Sequence, residues 1–556
     1  MDKHFFFERN LLALSAGHER LCSRLSLAET TLNRYRFLES RGGDMVPAIV
    51  NPNGGAHPLH SVVDPRREAQ RLLSSTMNGA GFLVFLGFGG GYYVEAALAL
   101  PHVRGVMVID YDINGFAELL CSADHARVLE DRRLRILIDP SPGEIEGCIL
   151  ERYQPSLDGA IRSLPLRIRT DMESGRFEEA GTAIQNAATR LSADYSVQAW
   201  FGTRWFSNII RNLKAAEETR RPFPPIREVA ICAAGPSLDI QLEGLRKKLN
   251  GLFLLASDTS LPALLAADIE PDAVISIDCQ HISYKHFLGG IPPHIPLFLD
   301  LASPPLLAGM VSRPIFFSGG HPLANYISGY WRAIPVVDSS GGNVTYAAVS
   351  LAETLGASWI EIYGADYSYP LGKSYAKGTW LFPYFENLQN RFFSMEAQFS
   401  SLLYRSPDLH KKTREDGIWY YETRTLNRYR EELELKAAKM EARYSTAEGL
   451  GAPVRLPRGG KARHGNPAIF SAGPAAMKAR DFLVSYREKI ARLPELTREM
   501  TAEEELILKT LLPQAAALKR REALNSGGEV LEAVKGYCME EIEKVLDAMY
   551  EQKNLS

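Results

Sequence analysis

Short apolar runs that stop abruptly at small or acidic residues punctuate this chain, with amphipathic stretches between them. Residues 229–232 form such a run. They pass into Ala233-Ala234-Gly235-Pro236-Ser237, and a helical period follows over 238–249. The pattern repeats at 252–256, which ends in Ser257-Asp258, and at 273–277, which ends in Asp278 with Gln280 and His281 just beyond. A run at 359–363 closes in Gly364-Ala365-Asp366. Apolar runs alternating with helical periods predict parallel strands with crossover helices, so the fold class is α/β. Earlier in the chain, 81–88 predicts a strand, 87–91 a glycine turn, 92–100 a helix and 106–109 a strand that meets Asp110 and Asp112. Residues 11–38 have helical periodicity, and 47–58 read as turn-rich.

Four segments follow. Residues 1–165 predict a Rossmann-like N-terminal domain, and 166–225 an Arg-rich helical connector. The run Arg221-Pro222-Phe223-Pro224-Pro225 cannot be helix interior and marks a boundary. Residues 226–457 predict a second Rossmann-like domain. Arg458-Gly459-Gly460-Lys461 then opens a charged linker into a helical domain over 458–556, with breaks expected near Pro494, Pro513 and Asn525-Ser526-Gly527-Gly528.

Composition narrows the function. The chain has 556 residues, 46% hydrophobic and 23% charged, as ordinary folded domains have. Lys plus Arg is 63 against 66 for Asp plus Glu, a net charge of −3, so there is no global basic surface for nucleic acid. The six cysteines are scattered without a CxxC pair, which points to a reduced compartment and against a zinc site. The opening residues lack a signal-peptide pattern, and the most apolar window, 81–100, contains Glu95 and the glycine turn. The expectation is a cytoplasmic protein without a membrane span.

Candidate chemistry lies at the strand ends. Gly235, Pro236 and Ser237 place backbone N–H groups at a helix start, where an anion or a plain cap would sit. No GK[ST] follows Gly235, which excludes a Walker loop. Asp258 and Asp278 would bond ribose hydroxyls or a metal, or cap their own loops. Gly341, Gly342 and Asn343 open a second glycine-rich helix start. Tyr369, Lys373 and Tyr375 follow Asp366 in a polar loop. The 87–91 turn with Asp110 fits a nucleotide fingerprint, a methyltransferase-like site or a close-packed scaffold.

The AGPSLD turn, the strand EPDAVISID and the stretch GGNVTYAAVSLAETLGASWIEIYGADYSYPLGKSYA resemble the motility accessory factor (Maf) family. So do FFERNL at 6–11, LHS followed by DPRREA at 59–69, and WFSNIIRN at 205–212. The core is more distantly similar to bacterial CMP-sialic-acid sialyltransferases and to archaeal hydroxymethylpterin pyrophosphokinases. The resemblance covers about three quarters of the chain and leaves out the C-terminal helices.

The resemblance implies a sialyltransferase-like central domain. Its donor substrate would be a CMP-linked nonulosonic acid and its acceptor a Ser or Thr of flagellin, with no obligatory cofactor. In the sialyltransferases two tyrosines donate hydrogen bonds to the departing phosphate. Tyr375 matches the second, and Tyr369 matches the first with one residue inserted. Maf proteins often carry His at the place of Tyr375. The sialyltransferase base is a histidine, and the equivalent stretch here, Tyr420-Tyr421-Glu422-Thr423, offers only Glu422. Ser445 and Thr446, in RYSTAEG, match the stretch that closes the nucleotide site. Two rival readings stand beside this one. The first is pyrophosphate transfer from ATP to a pterin alcohol, with Mg²⁺ on the acids. The second is a flagellin-binding scaffold without catalysis.

Overall fold

The computed structural model describes residues 3–29, 34–50, 54–219, 222–456, 469–496, 498 and 500–554. The chain divides into two compact units. One comprises Met1–Gly202, Leu493–Glu504 and Leu512–Gly536, and the other Thr203–Arg492, Glu505–Leu511 and Tyr537–Ser556.

In the first unit β1 (Tyr35–Glu39), β2 (Met45–Val50) and β3 (Ala56–Pro58) form an antiparallel sheet. Both sequence expectations for this stretch are corrected. The helical period gives way to two helices, Lys3–Ser15 and Glu19–Leu25, and then to β1, while the turn-rich segment contains β2 and β3. Pairing across strands makes these residues extended, and local periodicity does not record it. Next come β4 (Phe82–Leu86), β5 (Gly105–Asp110), β6 (Leu134–Ile138) and β7 (Ile161–Pro165), a parallel sheet in the order β6-β5-β4-β7. Every residue of β4 and β5 is buried, because both faces are covered. Leu83, Phe85, Val106 and Val108 join one core cluster. Phe82, Val84, Met107 and Ile109 face the other way onto Phe177, Ala180 and Ala183.

The 87–91 turn is filled by the protein itself. Gly87 N–H donates to Ile109 O, Phe88 N–H to Asp110 and Gly90 N–H to His60 Nε2 (2.9 Å). Asp110 is wholly buried and pairs with Arg169 at 3.0 Å. A Cβ at Gly89 would lie 2.4 Å from His60 Nε2. The glycines therefore serve close packing, and the fingerprint acid is an internal ion-pair partner.

One helix, Ser174–Glu218, runs 45 residues. The boundary between the units, at Gly202, falls inside it rather than in the proline run near 225. The remaining helices are Ala479–Ala491, Ala502–Glu522 and Gly527–Asn554. Pro513 sits inside the second of these without breaking it. Buried Leu511, Ala515, Ala516 and Leu518 offset the roughly 3 kcal/mol that an interior proline costs. The expected linker at 458–461, the boundary at 457 and Arg221 lie outside the described residues.

In the second unit β8 (Glu228–Cys232), β9 (Phe253–Ser257), β10 (Ala273–Ser276), β11 (Leu297–Asp300), β12 (Pro314–Phe317), β13 (Trp359–Tyr363) and, later in the chain, a strand at Arg443–Thr446 build a seven-stranded parallel sheet. The small strands β14 (Tyr369–Pro370), β15 (His410–Thr413) and β16 (Trp419–Glu422) form an antiparallel sheet in the order β14-β16-β15, and Arg443–Thr446 is β17. The large sheet runs β12-β11-β10-β9-β8-β13-β17, so the chain steps outward from β8 and then returns to its other side at β13. The α/β class with two Rossmann-like sheets and a helical C-terminal segment agrees with the sequence expectation. Among the described residues no helix is long and apolar enough to cross a membrane, and no group of three or more His, Cys, Asp or Glu is placed to hold a metal.

Buried histidines make the first unit acid-labile. Burial pushes His18 and His125 down to about 4, with Arg135 and Arg152 adding to the effect on His18. His18 Nε2 also accepts the Ile136 N–H at 3.0 Å. Between the unfolded value of 6.5 and the folded value of about 4, the unfolded chain binds more protons, so stability is full above about pH 6.5 and falls as pH drops. Urea denaturation between about pH 7 and pH 4 should show this decline. His18→Gln, which keeps an acceptor for Ile136, should make it shallower.

Candidate active site

A ligand crevice in an open α/β sheet forms where strand order reverses, here between the carboxyl ends of β8 and β13. The two exits are zipped together. Ala233 N–H donates to Tyr363 O at 2.9 Å, and Gly235 N–H to Gly364 O at 2.8 Å. A Cβ at Gly235 would fall 2.4 Å from Asp366 Oδ2 and 2.5 Å from Gly364 O, so only glycine fits.

Ser237 N–H donates to Asp366 Oδ2 at 2.8 Å, the Ser237 hydroxyl donates to Asp366 Oδ1, and Leu450 N–H donates to the Ser237 oxygen at 2.6 Å. Burial pushes the Asp366 carboxyl up, and the bonds from Ser237 oppose that. Gly235, Pro236, Ser237 and Asp366 thus come together, but as a closed latch. The helix start expected to take an anion is occupied by the chain's own carboxylate. Behind the latch lies a cavity of about 210 Å³, lined by Asp366, Arg414, Thr446 and Gly449 among others. Arg414 donates to Gly449 O at 2.6 Å, and the Ser445 hydroxyl is buried without a hydrogen-bond partner.

A second group of expected residues meets over the ends of β9 and β10. Asp258 is buried and accepts from the Thr259 N–H (2.7 Å) and the Ser276 hydroxyl (2.7 Å). Burial pushes the neighbouring Asp278 carboxyl up. The Gln280 N–H at 2.9 Å opposes this, and the charge of Asp258 adds to it. Tyr375 is held here by its neighbours, with Ala376 N–H on Ala234 O (2.9 Å) and Lys377 N–H on Asp239 (2.8 Å). Burial, then Tyr369 and Asp258, raise the Tyr375 phenol. Tyr369 belongs to β14 and pairs in register with Tyr421. Lys373 is exposed in the turn that follows.

Asn343 begins the helix Val344–Thr354, which packs on β8 and β9. Its side chain accepts the Tyr346 N–H at 3.0 Å and donates to Gly341 O at 3.2 Å. Gly342 has φ +73°, and a Cβ on Gly341 would meet the Tyr346 ring at 2.3 Å. A bulky residue at 342 would therefore strain the turn whether or not a ligand binds there.

Glu422 departs from its expected role as a free base. It is buried at the end of β16 and ion-paired with Lys412 of β15. Cross-strand pairing places the lysine there, and the sequence around 420–423 contains no sign of it.

Sequence reasoning also left two devices without a role. Asn208 and Asn212 lie one turn apart on the long helix. Asn208 donates to Cys279 O (3.0 Å) and Ala302 O (2.7 Å), and Asn212 to Leu301 O (2.9 Å) and Ser303 O (2.8 Å). They fix the loops leaving β10 and β11, and the WFSNIIRN motif was the signal. At the end of β11, Asp300 is fully buried and burial pushes its carboxyl up, with His321 Nε2 3.7 Å away and the Trp205 ring tilted against the His321 ring at 4.6 Å. No sequence spacing links Asp300 to His321.

The sheet order defines a Rossmann-like α/β protein. Residues 203–372 match the family described as 6-hydroxymethylpterin diphosphokinase MptE-like. The fold is similar to that of the Maf glycosyltransferase from Magnetospirillum magneticum AMB-1, with a TM-score of 0.59 and 13% identity over 98% of this chain and 96% of that one. Three proteins of Treponema pallidum (strain Nichols), each described only as uncharacterized, are also similar. One is 41% identical over 106 residues, 19% of this chain and 37% of its own length. Another is 38% identical over 172 residues, 30% of this chain and 82% of its own. The third is 30% identical over 181 residues, 31% of each. The chain thus spans about a third of the first and third of these relatives. It belongs to one family with the second, and carries an MptE-like core in the Maf fold, as its motifs led us to expect.

Asn208→Ala would leave two buried carbonyls without donors, a cost of about 2–3 kcal/mol. It should also loosen the loop that carries Asp278 and Gln280. Chemical denaturation checks the first effect. Hydrogen exchange checks the second, where we expect faster exchange over 278–281 than in wild type.

Proposed function

We propose that this chain is a glycosyltransferase that moves a nonulosonic, sialic-acid-like sugar from a CMP donor to Ser or Thr hydroxyls of flagellin in the cytoplasm. The observation that carries this reading is the group formed by Tyr375 and Tyr369 with Asp258 and Asp278 over the carboxyl ends of β9 and β10, beside the strand-order reversal. The Maf fold and the sequence motifs support it.

In this reading Asp258, Asp278 and Gln280 hold the nucleoside, and the helix start at Gly341, Gly342 and Asn343 faces the phosphate. Thr446 lines the cavity beside the latch, and Ser445 and Thr446 would contact the nucleotide from that side. The acceptor oxygen attacks the anomeric carbon as the bond from that carbon to the phosphate oxygen breaks. CMP leaves with the electron pair, and the configuration inverts. A phenol raised above its ordinary value keeps its proton at neutral pH, so Tyr375 remains a donor to the departing phosphate. Tyr369 and Lys373 assist from the same loop. The acceptor proton needs a base. Glu422 must first give up Lys412, whereas His321 stands beside buried Asp300 and takes the role more directly.

A second reading, pyrophosphate transfer to a pterin alcohol, has its own support in the MptE-like match and in the adjacent carboxylates Asp258 and Asp278, which would bind Mg²⁺. EDTA separates the two readings. Loss of all activity with recovery on added Mg²⁺ favours the kinase, and EDTA-resistant transfer favours the glycosyltransferase.

With CMP-sialic acid and purified flagellin, Tyr375→Phe should lower kcat about 10²-fold to 10³-fold and change KM much less. A Tyr375→Phe enzyme of normal kcat contradicts the assignment. His321→Gln should lower kcat about 10²-fold or more, and an unchanged kcat returns the base role to Glu422.

A further inference from the structure

The first unit contains a cavity of about 660 Å³ at the amino edge of its parallel sheet, the rim opposite the 87–91 turn. The loops that lead into β4, β5 and β7 form one wall. The helices Ala502–Glu522 and Gly527–Asn554 form the other. Its volume falls within the roughly 300–1,000 Å³ of small-molecule sites.

Two cations on its wall are under-satisfied. Arg104 is 21% exposed; its Nε lies 2.8 Å from Asp158, but its Nη1 is buried with no hydrogen-bond partner. Lys519 donates to Ser156 O (3.0 Å) and Pro155 O (3.3 Å), and no carboxylate pairs with it among the described residues. Burial holds its ammonium below the usual range, against the pull of Asp158. Holding a cation on backbone carbonyls in a half-buried place costs free energy that an anion would recover. The acids of the wall are already engaged. Asp158 takes Arg104 and the Gln154 N–H (2.7 Å), Glu532 takes Lys535 (3.0 Å), and Glu495 also has a partner.

Two further features suit an anion with a carbon body. The 28-residue helix Gly527–Asn554 begins on the wall, where Gly527 and Gly528 line the cavity, so the positive end of its dipole lies there. Pro101 and Leu496 supply apolar surface in the same lining.

We propose that this cavity is a binding site for a small amphipathic anion, a phosphate or carboxylate on an apolar body. Arg104 and Lys519 take the charge, and Pro101 and Leu496 the body. The site is independent of the crevice in the second unit and of any transfer reaction there.

Calorimetry on the full chain tests it, with hexyl phosphate, sodium hexanoate, inorganic phosphate and hexanol as probes. Two variants accompany the wild type. Lys519→Gln keeps a donor for the two carbonyls and loses the charge. Gly528→Phe fills the cavity from a position where a Cβ meets nothing within 4 Å, so its fold is not strained.

We expect one equivalent of hexyl phosphate or hexanoate to bind with Kd below about 1 mM, and neither inorganic phosphate nor hexanol to match it. Whichever of the two binds tighter identifies the head group. Lys519→Gln should weaken binding roughly tenfold or more, and Gly528→Phe should abolish it, with melting temperatures close to wild type. No binding of either anion to wild type, or binding unchanged in both variants, overturns the proposal. CMP binding should be unaffected by Gly528→Phe, so failure here leaves the reading of the second unit untouched.

Discussion

Two backbones leave the second sheet side by side, and the space between them admits no Cβ. Gly235 after β8 and Gly364 after β13 hydrogen-bond to each other at 2.8 Å, and Gly364 has φ +64°. The rest of the crevice depends on this contact. It brings Ser237 within reach of Asp366 across 129 residues of chain and seats the Tyr375 loop on Ala234 O. A side chain on either glycine would part the strands at the point where the chain reverses direction across the sheet. The latch and the tyrosine would then lose their common platform.

The two parallel sheets show how one local motif comes to different ends. Each has a glycine turn after a buried strand and an acid at a neighbouring strand end. In the first sheet the turn donates to Asp110 and His60, and Asp110 is neutralised by Arg169, so nothing is left to offer a ligand. In the second sheet the first turn is likewise engaged, by Asp366. Other groups there are less fully engaged: the Asp278 carboxyl accepts one N–H, from Gln280, and has a raised affinity for a proton, and burial raises the Tyr375 phenol. A ligand site is recognised by what the fold leaves unsatisfied more than by the motif itself.

Much of the sheet was legible in the sequence for a physical reason. Strands covered on both faces favour near-continuous apolar runs, and β4, β5, β8 and β10 have them, while β13 is interrupted only by Glu361, which pairs with Lys248. Their acidic and glycine endings marked the carboxyl edge, and Asp258, Asp278, Tyr369 and Tyr375 do meet there. What escaped the sequence depends on partners distant in the chain. β1 to β3 are short and interrupted by Pro47, so only their mutual pairing makes them strands. Glu422 looked free because Lys412 sits on another strand. Ser237 looked open because Asp366 lies across the reversal. Asn208 and Asn212 had the spacing of one helix face, but the carbonyls they hold belong to loops some 70 to 94 residues away.

Nucleotide binding at the carboxyl edge of the second sheet, over Asp278, Tyr375 and the helix that begins at Val344, is the proposal on which the rest turns. A crystal structure of the protein soaked with CMP tests it most directly. The account predicts the CMP phosphate within hydrogen-bond distance of the 341–343 turn and the Tyr375 hydroxyl, with the ribose beside Asp258 or Asp278. CMP bound instead at the 87–91 turn of the first sheet, or absent from the crevice at saturating concentration, would contradict it.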